Sequence, residues 1–171
     1  MTGGESRKVG KEPDRVRFVV DRHLGRLAKW LRTMGYDAFY EVDCRTDDLL
    51  RECAAQDTAF ITTAGSHVPL AGIPLFFVLP KEDTAVQLRT LVAQARLDPH
   101  RGLFTRCVIC NVPVEPLGKA DCAGRVPPRV FEQYDRFTRC PACGRIYWEG
   151  THTARLRTAL EVMLSEGGIE P

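Results

Sequence analysis

Two C-x-x-C pairs, Cys107 with Cys110 and Cys140 with Cys143, constrain this chain more than any other feature. A C-x-x-C turn aims two thiolates at one point, and two such turns complete the closed tetrahedral shell that structural zinc prefers. Seven cysteines is an odd number, and in a reducing compartment paired spacing of this kind points to metal before disulfides. A thioredoxin-type dithiol needs one pair in a strand-to-helix context, which neither pair has. The expectation is one structural zinc per chain, with no ligand position left open for chemistry. The 29 residues from 111 to 139 must then leave and return as a hairpin or loop insertion. Cys44, Cys53 and Cys122 lack partner spacing and read as small apolar fillers or surface thiols.

The sequence before the first pair has a different character. RFVV (17–20), DAFY (37–40), TAFIT (58–62) and PLFFVL (74–79) read as short strands. Between them Leu24, Leu27, Ala28 and Leu31 repeat at helical spacing, closing at Met34 and Gly35. TDDLLRECAAQ (46–56) reads as a helix capped by Thr46, and DTAVQLRTLVAQARL (83–97) as a third. Alternation of this kind predicts an α/β fold, a small parallel sheet flanked by helices over 16–97. The zinc ribbon follows over 101–150 and a closing helix over 151–165, apolar at Leu156, Leu160, Val162 and Met163 or Leu164. Residues 1–15, rich in Gly and charge, read as a flexible basic tail.

Composition excludes some classes. The longest apolar run, IPLFFVLP (73–80), falls far short of the roughly 20 residues of a membrane span. The polar start has no apolar segment of signal-peptide type, so the expected location is the cytoplasm. Residues 16–96 carry 10 basic and 10 acidic side chains, whereas 101–157 carry 10 basic and 5 acidic. A local charge of +5 favours a polyanionic partner for the second half.

Asp21 closes the first strand, and open parallel sheets bind ligands beyond the carboxyl ends of their strands. Asp47 and Asp48, at the start of the second helix, enter from the same rim, and acids grouped there can hold Mg2+ or Mn2+. Taken singly, Asp21 also reads as a helix N-cap, and Asp47 and Asp48 as ordinary first-turn acids.

FVVDRHLGRLAKWLRTMGYDAFY, TDDLLRECA, RCVICN and CPACGRIYWEGTH together resemble, in order and spacing, the Mut-seven C-terminal RNase domain family over about residues 17–160. The resemblance implies a PIN-like nuclease fold with an appended zinc ribbon. It also implies an RNase site of clustered acids and a divalent ion, with Asp21 as first acid and Asp47 or Asp48 as second. One departure stands out: the third strand continues as FITTAGSHV, so Ala64 and Gly65 occupy the place of the family's usual Arg-Asp. His67, Asp43 and Asp83 are the substitutes in reach of sequence reasoning, although a neutral imidazole suits Mn2+ or Zn2+ better than Mg2+.

RNA contacts are expected from Arg22, Arg26, Lys29 and Arg32 on the first helix, with Trp30 among them, and from Arg106, Arg145, Tyr147 and His152 around the knuckles. A solvated helix face explains the first group equally well, and Tyr147 and Trp148 alternatively bury themselves to weld ribbon to first domain. Two functions follow. One is metal-dependent hydrolysis of RNA; the other is an RNA-binding adaptor that keeps the fold and has lost turnover through the Ala64-Gly65 change.

Overall fold

The computed structural model describes residues 17–41, 43, 53, 58–64 and 75–165. Asp47, Asp48, Gly65, His67, Cys44 and the 1–15 tail lie outside the described residues, as does the 46–56 helix apart from the buried Cys53.

Four strands, β1 (Arg17–Val20), β2 (Ala38–Phe39), β3 (Thr58–Thr62) and β4 (Phe76–Val78), pair in parallel in the order β2-β1-β3-β4. The two central strands are near-continuous apolar runs, as burial on both faces demands, and all five residues of β3 are buried. β4 is shorter than the apolar run around it. At the sheet edge only Phe77 points inward, and Phe76 and Val78 are exposed, the alternation of a strand covered on one face.

A single 3-10 turn, Arg22–Leu24, leads from β1 into α1 (Gly25–Thr33), which buries Leu27, Ala28 and Leu31 against the sheet. The chain reverses at Gly35, whose φ of +90° favours glycine, and the Tyr36 N–H returns to the Leu31 carbonyl. A Cβ at Gly35 would stand 2.3 Å from the Gly102 carbonyl oxygen, so the position is closed sterically as well. The helix α2 (Thr84–Ala95) starts at Asp83, whose carboxylate accepts the Ala85 and Val86 N–H groups at 2.8 and 3.0 Å.

The second half builds an antiparallel sheet of β5 (Glu115–Leu117), β6 (Phe137–Arg139) and β7 (Ile146–Trp148). The insertion between β5 and β6 holds a 3-10 turn at Lys119–Cys122 and the short helix α3 (Pro128–Gln133). Cys122, Val126 and Phe137 form a small core of their own, with Leu117, Val130, Phe131, Tyr134, Ile146 and Trp148 around it. Cys122 is thus a fully buried filler whose thiol donates to the Gly118 carbonyl. Trp148 seals this local cluster and is not the weld to the first domain that sequence reasoning offered as its alternative role.

The closing helix α4 (Thr151–Ser165) returns to the first sheet. Leu160 is fully buried in the main core with Phe18, Leu27, Leu31, Leu88 and Leu91, and Arg89 donates to the Met163 carbonyl at 2.6 Å. The last helix therefore completes the hydrophobic core of the first half.

Candidate functional site

The strand order places β1 between β2 and β3, so the chain leaves β1 for one side and later crosses back to the other. Ligands of open α/β sheets bind at that switch point, outside the carboxyl ends of the strands. The residues there follow from register: Val20 pairs with Ile61, so Asp21 and Thr62 come next on neighbouring strands. The Asp21 N–H donates to the Ile61 carbonyl at 2.9 Å, which fixes its backbone to β3. The Thr62 hydroxyl takes the Ala64 N–H at 3.0 Å and gives its own proton to Asp21 Oδ2 at 2.8 Å. Asp21 is 6% exposed and Thr62 fully buried. One carboxylate oxygen is thereby anchored, while Oδ1 has no protein partner among the described residues.

Asp21 does stand at the N-cap position of the Arg22–Leu24 turn, but its side chain makes no capping bond. The N-cap reading of Asp21 is corrected accordingly. Asp83, considered as a replacement acid, caps α2 through Oδ1 alone and lines the same cavity as His23 and Lys29, and Asp43 is exposed in a turn. Thr62 escaped sequence reasoning; the signal was the alignment of VVD with FIT across two parallel strands.

The four knuckle cysteines converge, with all Sγ atoms within 4.8 Å of one another. The two turns repeat one geometry. Cys110 N–H and Cys143 N–H each donate to the first sulfur of their pair at 3.4 Å. Asn111 and Gly144 then adopt φ of +61° and +72° and donate back to the Cys107 and Cys140 carbonyls at 2.9 Å. Burial raises the Cys107 thiol, but the Cys110 N–H, the Tyr147 hydroxyl 3.0 Å away and the Ile109 N–H outweigh it and bring it down to about 6. Cys110, hydrogen-bonded to Cys143 and partly desolvated, is pushed up to about 12. Four sulfurs this close cannot all ionise without a cation between them, and four thiolates are the donor set of a closed zinc site.

The first knuckle is docked onto the α/β half. Buried Arg32 donates from Nε to the Ala38 carbonyl at 2.9 Å and from Nη1 to the Val108 and Ile109 carbonyls at 3.0 and 2.9 Å. Arg32 therefore leaves the proposed RNA-facing group on α1. It lies four residues beyond Ala28, at the edge of the apolar stripe, and reaches the ribbon from there. Asn111 bridges the same seam, accepting the Ala38 N–H at 3.0 Å and donating to Asp37 Oδ1 at 2.7 Å. Arg106 pairs with Asp37 at 3.8 Å and donates to the Gly35 and Asn111 carbonyls. Of the other residues expected to meet RNA, Arg22, Arg26 and Lys29 are exposed along one face of the 3-10 turn and α1, Arg145 is exposed on the second knuckle and His152 on α4. Tyr147 lies against the Cys107 sulfur.

A model of the Mut7-C RNAse domain matches residues 16–160, spanning the parallel sheet, both knuckles and the helix that closes the core. The chain belongs to the Mut7-C RNAse domain family. Comparisons with curated proteins and with solved structures give no match. Membership suggests RNase-like function, with RNA as substrate or partner, and the four-cysteine cluster can hold a metal ion, consistent with zinc. Among the described residues, no helix is long and apolar enough to cross a membrane.

Proposed function

We propose that this Mut7-C chain is a PIN-like ribonuclease that hydrolyses RNA phosphodiesters with a divalent ion held at the carboxyl end of β1. The observation that supports it best is the buried Asp21 carboxylate at the sheet's switch point, with one oxygen anchored by Thr62 and the other uncommitted. A carboxylate backed by a hydroxyl is a hard oxygen donor set, which fits Mg2+ or Mn2+ better than a soft metal. Asp21, with Asp47 or Asp48, would hold the ion, which in such sites lowers the pKa of a bound water and stabilises developing phosphate charge. Zinc held by Cys107, Cys110, Cys140 and Cys143 would be structural, keeping the first knuckle in the form that Arg32 and Asn111 tie to the α/β half.

One observation favours the second reading, an RNA-binding adaptor. β3 ends at Thr62 and the sequence runs on as Thr63-Ala64-Gly65, so small side chains occupy Ala64 and Gly65, where the family resemblance leads one to expect Arg-Asp and the further acid of the cluster. Incubating labelled single-stranded RNA with the protein in Mg2+ or Mn2+ separates the two. The ribonuclease reading expects cleavage that Asp21→Asn abolishes with RNA affinity retained, and expects Gly65→Asp to raise the rate. Intact RNA with tight, salt-sensitive binding is the adaptor's result.

A further inference from the structure

Three cavities share lining residues and follow one another across the molecule. The first, about 740 Å3, is lined by His23, two residues along the chain from Asp21, and by Arg26, Lys29, Tyr40, Glu82 and Asp83. The second, about 410 Å3, shares Arg26 and Lys29 and adds Trp30, Thr33 and Leu156. The third, about 400 Å3, shares Thr33 and Leu156 and opens onto the ribbon, where Phe104, Arg136, Trp148, Glu149 and His152 line it.

The third cavity has the character of a base pocket. Its volume falls in the range of about 300–1,000 Å3 typical of small-molecule sites, and its walls are aromatic and aliphatic with a few polar groups at the rim. Among the described residues Arg136, Glu149 and His152 have no hydrogen-bond or ion-pair partner. Arg136 and His152 are donors suited to a phosphate or a ring carbonyl, and Glu149 is an acceptor suited to the N–H edge of a base. Half-buried Trp148 offers a surface for stacking. Lys29 and Arg26, exposed and likewise without partners among the described residues, lie along the path between this pocket and Asp21.

We propose that the three cavities form one track for single-stranded RNA. An unpaired base enters the ribbon cavity beside Trp148, and the strand runs over Lys29 and Arg26 to the Asp21 carboxylate. This rests on the ribonuclease or adaptor reading above, and adds the substrate class: unpaired strands, because the bases of an A-form duplex are stacked away from such a pocket. It also sets a length. From Asp21 to Thr33 at 1.5 Å per residue is about 18 Å, and a stacked strand at about 3.4 Å per nucleotide covers it in about five nucleotides. Affinity should therefore climb with oligomer length up to about five or six nucleotides and then level off.

The chain has two tryptophans, Trp30 and Trp148, and both line the track, so intrinsic fluorescence reports on it directly. The experiment titrates zinc-loaded full-length protein with a single-stranded RNA octamer and with the same sequence as a blunt duplex, without added Mg2+ or Mn2+. Cleavage in Mn2+ is followed separately. The octamer should quench the emission and bind at least about tenfold more tightly than the duplex, the worth of one base stack. Arg136→Glu and Lys29→Glu, both on the surface, should each weaken octamer binding about tenfold and lower the salt slope by about one. Arg129→Glu, outside these cavities, is the charge control and should leave binding within about twofold. Equal quenching by duplex, or binding unchanged in both track variants, overturns the track, and persistent Asp21-dependent cleavage would then leave the ribonuclease reading standing. Failure to bind or cleave any RNA overturns both.

Discussion

Arg32 is the side chain on which the union of the two halves most depends, and replacing it tests that union. Its guanidinium gives three hydrogen bonds of 2.9–3.0 Å, one to the β2 carbonyl of Ala38 and two to the first knuckle. Bonds from a charged donor contribute about 1.5–3 kcal/mol each. Burial opposes the charge and pulls the Arg32 pKa below its ordinary value, so the net is smaller than the sum, even with the Cys107 and Cys110 sulfurs acting in its favour. Arg32→Met fills much of the volume and removes every donor, leaving three carbonyls to find water. A loss of about 2–4 kcal/mol is expected, since a buried carbonyl left without its donor costs about 1–3 kcal/mol wherever water does not replace it. Arg32→Lys keeps the charge without the planar fork and should recover less than half of it. The assay is urea unfolding of zinc-loaded protein with the slope held constant, together with chelator-driven zinc release followed by a metallochromic dye. Arg32→Met should also release zinc faster, because a cation beside the thiolates is lost. Stability within about 0.5 kcal/mol of wild type and unchanged zinc release would refute the reasoning.

Gly35→Ala combines a φ of +90° with a Cβ 2.3 Å from the Gly102 oxygen, so at least about 2 kcal/mol of destabilisation is expected in thermal unfolding. Leu160→Ala empties a fully buried site where α4 meets the main core; a cost of about 2–5 kcal/mol should lower Tm by roughly 5–15 °C, while the zinc content stays at one per chain. Thr62→Val keeps the shape of β3 but leaves Asp21 Oδ2 and the Ala64 N–H without their partner, so metal-dependent cleavage should fall about 10- to 100-fold and stability by about 1–3 kcal/mol in urea unfolding.

The parts of the fold legible in the sequence were those with a strong local period or a fixed spacing. The apolar runs of β1 and β3 and the 3.6-residue repeat in α1 appear where the pattern puts them, and the cysteine pairs meet as their spacing requires. What the sequence hid depends on register and on long-range docking. Thr62 looks like any strand threonine until β3 is aligned beside β1 and its hydroxyl meets Asp21. Arg32 reads as one more cation on a basic helix, because the carbonyls that bind it lie 76 and 77 residues further along the chain. Trp148 falls for a similar reason: the insertion between the knuckles supplies Val126, Val130 and Phe131, a local core that no periodicity announces. Asp83 shows what position adds to composition: its place one residue before α2 gives one carboxylate oxygen to capping, a use the residue type alone does not announce.

The most direct test of a divalent-ion site at the end of β1 is calorimetric titration of Mn2+ into zinc-loaded protein, wild type against Asp21→Asn. The account predicts a Mn2+ site that is lost in the variant, with the zinc content and the circular dichroism spectrum of the two proteins identical. Equal Mn2+ binding by both, or none by wild type, would contradict it and take the buried carboxylate out of the chemistry.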